Sequence, residues 1–145
     1  RDGLFIAKIE NMKFRGYIFS KAFLGERVPQ HVQNIIIRDY CTKNNFQYLL
    51  SVAEYAILGS DLILQQTISE FDKIDGIVAY SIFQLPENWS ARQLIVKTFL
   101  DSKKEMHFAC ENMVIRNNND FQKIESIWQI KSTFLSNDLQ GDLCD

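Results

Sequence analysis

The stretch FRGYIFSKAFLGERVPQHVQNIIIRDY, from Phe14 to Tyr40, decides the fold because it predicts a strand, a polar loop and a helix in succession. The strand spans Phe14 to Phe19, and the helix begins near Pro29, since proline is favoured in the first helical turn. Apolar residues then recur at helical spacing up to Tyr40. In an open α/β sheet, ligands bind at the loops that follow the carboxyl ends of the strands. The polar loop is therefore the first place to expect a binding site.

Strands and helices alternate along the rest of the chain. Further strands are predicted over roughly Phe46 to Ser51, over Gly76 to Phe83 and from Glu105 onward, with a short fifth strand near Asn112 to Ile115. The segment GIVAYSIF is almost entirely apolar, which is typical of a strand buried on both faces of a parallel sheet. The alternation predicts an α/β fold with right-handed crossovers. We expect a single doubly wound, mostly parallel sheet of four or five strands in the flavodoxin-like order 2-1-3-4-5, with helices on both faces.

The chain of 145 residues has the length of one domain. Residues 1–11 differ in character from the rest of the chain and are assigned to an N-terminal extension, which could be upstream sequence, and the domain is expected to span residues 12–136. A last amphipathic helix is predicted from Phe121 to Phe134, and the polar residues 137–145 are expected to form a flexible tail. The last helix is also the surface through which a homodimer would form.

Composition argues against several classes of function. A net charge of -2 gives no general attraction for phosphate backbones, so nucleic acid is not an expected partner. No apolar run approaches the roughly 20 residues that span a bilayer, so membrane insertion is not expected. Three cysteines without a C-x-x-C spacing, together with two histidines, argue against a metal site and a disulfide framework. These features predict a cytoplasmic protein, and no motif implies a cofactor.

The candidate site residues lie at the predicted carboxyl ends of the strands. Arg27 and the start of the helix would hold an anion through a guanidinium and free backbone N–H groups. The candidate catalytic residues are Ser20 as nucleophile, His31 as proton carrier and Glu54 as base. Each of these residues also has a plain structural role open to it, as a surface charge, a turn residue or a cap. The other predicted ligand contacts are Gln30, Asn34, Tyr55, Ser81 and Gln84. His107, which alternates with apolar residues in a strand, is expected to be a hydrogen-bonded core histidine.

Five blocks in order resemble the "sporadic carbohydrate cluster" family over most of Lys13 to Trp128: FRGYIFSKAFLGERVPQHVQN, IRDYC, YLLSVAEYA, GIVAYSIFQLP and HFACE. Members of that family are encoded among bacterial surface-polysaccharide and lipopolysaccharide biosynthesis genes, and no reaction is assigned to them. The resemblance implies a protein of that pathway that binds an anionic small molecule, namely a phosphorylated sugar or nucleotide-sugar. If it is an enzyme, isomerisation, epimerisation and group transfer all suit the candidate residues.

A weaker resemblance, at the level of the fold, is to the catalytic domain of serine recombinases of the resolvase type. Members of that family use a nucleophilic serine after the first strand and several arginines, including a pair just beyond the third strand. This chain has FQLPE there, from Phe83 to Glu87, without an arginine, and Ser20 matches the nucleophile only if a gap is allowed. The resemblance therefore implies, as the alternative, a non-catalytic recombinase-derived scaffold or regulatory interaction module of the same pathway. An active DNA recombinase is not expected.

Overall fold

A five-stranded sheet organises the protein in the computed structural model, which describes residues 12–19, 28–54 and 67–144, with side chains undescribed at 19, 52–54 and 134–144. The strands are β1 (Lys13–Phe19), β2 (Gln47–Glu54), β3 (Gly76–Ala79), β4 (Glu105–Phe108) and β5 (Met113–Ile115). The helices are α1 (Gln30–Lys43), α2 (Trp89–Asp101) and α3 (Asn118–Cys144), and a 3-10 turn covers Ile82–Gln84.

The strands lie in the order β2-β1-β3-β4-β5, so the predicted order is confirmed. The first four strands run parallel, whereas β5 pairs antiparallel with β4. β3 is shorter than predicted, since it ends at Ala79 instead of Phe83. Ser81 caps the 3-10 segment and so ends the strand. Ile82, at the start of that segment, is fully buried in the turn. Burial alone does not distinguish a strand from such a turn.

Two apolar cores hold the helices against the sheet. On one face, α2 and α3 pack Phe99 and Ile124 against Met106 and other strand residues. On the other face, α1 packs Ile37 against Phe14. Helices on both faces are what right-handed crossovers produce when the chain moves first to one side of β1 and then to the other. The layered arrangement thus places α1 beside the carboxyl ends of β1 and β3.

The last helix is longer than the sequence predicted. Its buried residues recur at helical spacing from Phe121 through Trp128, which confirms an amphipathic helix whose tryptophan belongs to the core. The helix then continues to Cys144, through residues 137–144 that the sequence analysis assigned to a tail. At 1.5 Å per residue, 27 helical residues extend about 40 Å. None of the described helices combines the length and the apolar character that crossing a membrane requires.

Candidate functional site

The carboxyl ends of β1 and β3 lie side by side because these strands are parallel neighbours. The chain leaves β1 toward one face of the sheet and β3 toward the other, which is the arrangement that opens a crevice in doubly wound folds. Among the predicted site residues, Ser20, Arg27 and Tyr55 lie outside the described residues. Glu54 ends β2, with its side chain undescribed. The roles assigned to these four residues stay predictions.

Gln84 is buried in the turn that follows β3, and its side-chain amide is hydrogen-bonded to other groups of the protein. Its Oε1 accepts hydrogen bonds from the backbone N–H groups of Tyr80 at 2.8 Å and Ser81 at 3.2 Å. Its Nε2 donates to Oε1 of Gln33 at 2.7 Å. Gln33, which is wholly buried, donates in turn to the carbonyl oxygen of Val28 at 2.8 Å. The two amides therefore tie the start of α1 to the end of β3.

Ser81 caps the same turn from its other side. Its hydroxyl donates to Oε2 of Glu111 at 2.7 Å and accepts from the backbone N–H of Phe83 at 3.2 Å. Oε1 of Glu111 accepts from the backbone N–H of Ile82 at 2.8 Å. Trp128 on α3 adds a hydrogen bond from its indole nitrogen to the carbonyl oxygen of Ile82, 3.2 Å away. We call this set of bonds around residues 80–84 the β3 turn network.

The sequence analysis missed Gln33 as a member of that network. A signal for it exists, because Gln33 is the polar residue four positions before Ile37, on the face of α1 that packs against the sheet. A glutamine at such a position must find hydrogen-bond partners, since an unpaired buried amide is costly. Its partner Gln84 lies 51 positions away along the chain, and periodicity carries no information about so distant a residue.

The start of α1 does not gather the other predicted residues around this turn. Gln30 and His31 are exposed on the first turn of the helix. Oδ1 of Asn34 accepts a hydrogen bond from the Tyr48 hydroxyl at 3.3 Å, so Asn34 faces β2. That hydroxyl also lies 2.6 Å from Oγ of Ser51. The described candidates thus separate into a closed turn with Ser81 and Gln84, a contact to β2, and two exposed side chains.

A second polar cluster lies within the core beneath α1. His107 is buried, with Nδ1 lying 2.6 Å from the hydroxyl of Tyr40 and Nε2 lying 2.7 Å from Oε1 of Glu105. Arg116 donates from Nε to Oε2 of the same glutamate at 3.1 Å. The rings of Phe14 and Phe46 stand edge-on to the imidazole. His107 is therefore a hydrogen-bonded core histidine, as the sequence predicted.

The electrostatics of this cluster favour structure over catalysis. The hydrogen bond from His107 holds the pKa of the Glu105 carboxyl below its usual value; burial opposes this, and the positive charge of Arg116 favours it. Nε2 of His107 can donate to the Glu105 carboxylate while Nδ1 accepts from the Tyr40 hydroxyl, an arrangement that gives both ring nitrogens a partner. Burial raises the pKa of Tyr40 to about 12. A tyrosine with so high a pKa is a poor source of phenolate at neutral pH.

Two grooves open on the described surface away from the β3 turn network. One, of about 760 Å³, lies between α2 and the first part of α3 and is lined by Trp89, Lys97 and Arg116 among others. The other, of about 370 Å³, lies beside α1 near Lys43 and Asn112. Neither groove is lined by any of the nine predicted site residues. Within the described ranges, no group of three His, Cys, Asp or Glu side chains is placed to hold a metal ion.

Comparison with known proteins finds solved structures with a similar fold. Neither a protein-family model nor a curated protein matches the sequence. The N-terminal catalytic domain of TP901-1 integrase gives a TM-score of 0.58 at 16% identity, covering 89% of this chain and 98% of that one. A resolvase family site-specific recombinase from Streptococcus pneumoniae gives a TM-score of 0.60 at 5% identity, covering 90% of this chain and 96% of that one. The fold resembles that of recombinase catalytic domains. This confirms the weaker of the two resemblances inferred from the sequence.

The prediction of a surface-polysaccharide biosynthesis protein was wrong. It rested on a resemblance to the carbohydrate cluster family, and no family model matches the chain. Two structures with a similar fold are the N-terminal catalytic domain of an integrase and a resolvase family site-specific recombinase. The expectation that the chain binds a phosphorylated sugar or nucleotide-sugar came from the resemblance to that family, and it has no other support.

Proposed function

We propose that this chain is a recombinase-fold interaction module that acts through protein contacts and does not catalyse DNA strand exchange. The observation that carries the proposal is the β3 turn network. Strand exchange by a serine nucleophile passes through a pentavalent phosphate, whose charge must be met by cations placed beside it. The residues from Tyr80 to Asn88 contain neither lysine nor arginine, and the polar groups at that turn bond to one another.

The first arginine after β3 is committed elsewhere. Arg92 on α2 pairs with Glu125 on α3, with Nε to Oε1 at 2.6 Å and Nη2 to Oε2 at 2.9 Å. Its Nη1 donates to the carbonyl oxygens of Pro86 and Glu87 at 3.0 and 2.7 Å. The guanidinium also lies over the ring of Trp128, 4.4 Å from its centroid. A guanidinium that donates from all three of its nitrogens and lies over an aromatic ring has a structural role. This commitment of Arg92 supports the proposal that the chain keeps the fold without phosphoryl-transfer chemistry.

The overall charge supports the same proposal. A chain with a net charge of -2 lacks the basic field that concentrates DNA near a protein, and sequence-independent affinity comes mainly from that field. Nucleic acid is therefore not proposed as a partner. A domain that keeps its core but does not cleave and join DNA still presents helices and surfaces to which other proteins can bind. We therefore propose protein binding as the role of the module.

The test is whether the protein forms a covalent bond to DNA. Purified protein is incubated at low salt with a pool of random-sequence duplexes and with supercoiled plasmid, and DNA-linked protein is measured after denaturation. We expect no covalent adduct, no plasmid nicking and only weak binding that disappears as salt is raised. The matched control is Ser20→Ala, which removes the candidate nucleophile and should leave every reading unchanged.

An adduct in the unmodified protein that is lost in Ser20→Ala would overturn the proposal and make the chain a recombinase. Tight duplex binding that persists at physiological salt would also contradict it, because such binding requires phosphate contacts that the proposal denies.

A further inference from the structure

We draw no further inference here: the strongest candidate, the groove of about 760 Å³ between α2 and the first part of α3 at which Trp89 is exposed, is lined by side chains of both charges, and nothing in the described structure shows what covers it.

Discussion

At the scale of single residues, the clearest consequence concerns Glu105, whose carboxyl joins the buried His107 to Arg116. Because its folded-state pKa is lowered, the carboxylate stabilises the protein above the unfolded-state pKa and loses that contribution as pH falls through the folded-state pKa. Glu105→Gln should cost about 1–3 kcal/mol of unfolding free energy at neutral pH, measured by urea denaturation. The cost should shrink as the pH is lowered through the acidic range.

The control for this prediction is Asp39→Asn. Asp39 is an exposed carboxylate that pairs with Lys43 one helical turn away, at 2.8 Å, and such pairs contribute little. It should change stability by less than about 0.5 kcal/mol at any pH. A penalty for Glu105→Gln that stays constant down to the lowest pH would show that the lost interaction is steric and not ionic.

The predicted site residues also show, at this scale, what sequence can and cannot reveal. Sequence reasoning placed Ser81 inside a strand that it extended to Phe83, whereas the strand ends at Ala79 and both Ser81 and Gln84 belong to the turn that follows. It could not predict that Gln33 and Glu111 supply their partners, since those contacts span 51 and 30 positions. Side chains suited to ligand binding are equally suited to closing a turn, and only the three-dimensional partners distinguish the two uses.

At the scale of secondary-structure elements, two glycines set how closely the strands approach. A Cβ at Gly76 would lie 2.0 Å from the carbonyl oxygen of Glu105 in the neighbouring strand, where the backbone has no room to give. A Cβ at Gly16 would also lie 2.0 Å from its nearest atom, but that atom is the hydroxyl of Ser51, at the end of a side chain. The first substitution must separate β3 from β4. The second needs a rotation of the Ser51 side chain and small shifts of Ser51 Cβ and the Tyr48 ring, which lie 3.0 and 3.1 Å from the new Cβ.

We therefore expect Gly76→Ala to destabilise the fold by roughly 3 kcal/mol and Gly16→Ala by about 1 kcal/mol, with urea unfolding as the measurement. The smaller cost reflects loss of the hydrogen bond between Ser51 and Tyr48. Combining Gly16→Ala with Ser51→Ala should relieve the shortest contact, which is the one with the Ser51 hydroxyl. Equal costs for the two glycine substitutions would contradict the distinction between a fixed and a movable obstacle.

The elements also show what a sequence pattern can predict. The doubly wound sheet followed from alternation and crossover handedness, whereas its strand order was taken from the flavodoxin-like fold, one of the common orders of such sheets. The end of β3 and the length of α3 did not follow, because burial continues past Ala79 and helical structure continues past Trp128, the last residue described as buried. Apolar residues in the sequence indicate which positions are buried. Where a strand or helix begins and ends depends also on capping residues and on contacts with distant parts of the chain.

At the scale of the whole molecule, every residue described as buried lies before residue 134, so the protein should fold without residues 134–145. A chain that ends after Thr133 keeps both apolar cores and the β3 turn network. Its unfolding free energy should equal that of the full chain within about 1 kcal/mol, because every residue described as buried is kept and a terminal helical segment of this length is only marginally stable on its own in water. Urea unfolding of the two chains measures the difference. A shortened chain that fails to fold would mean that residues 134–145 contribute to the core of their own molecule.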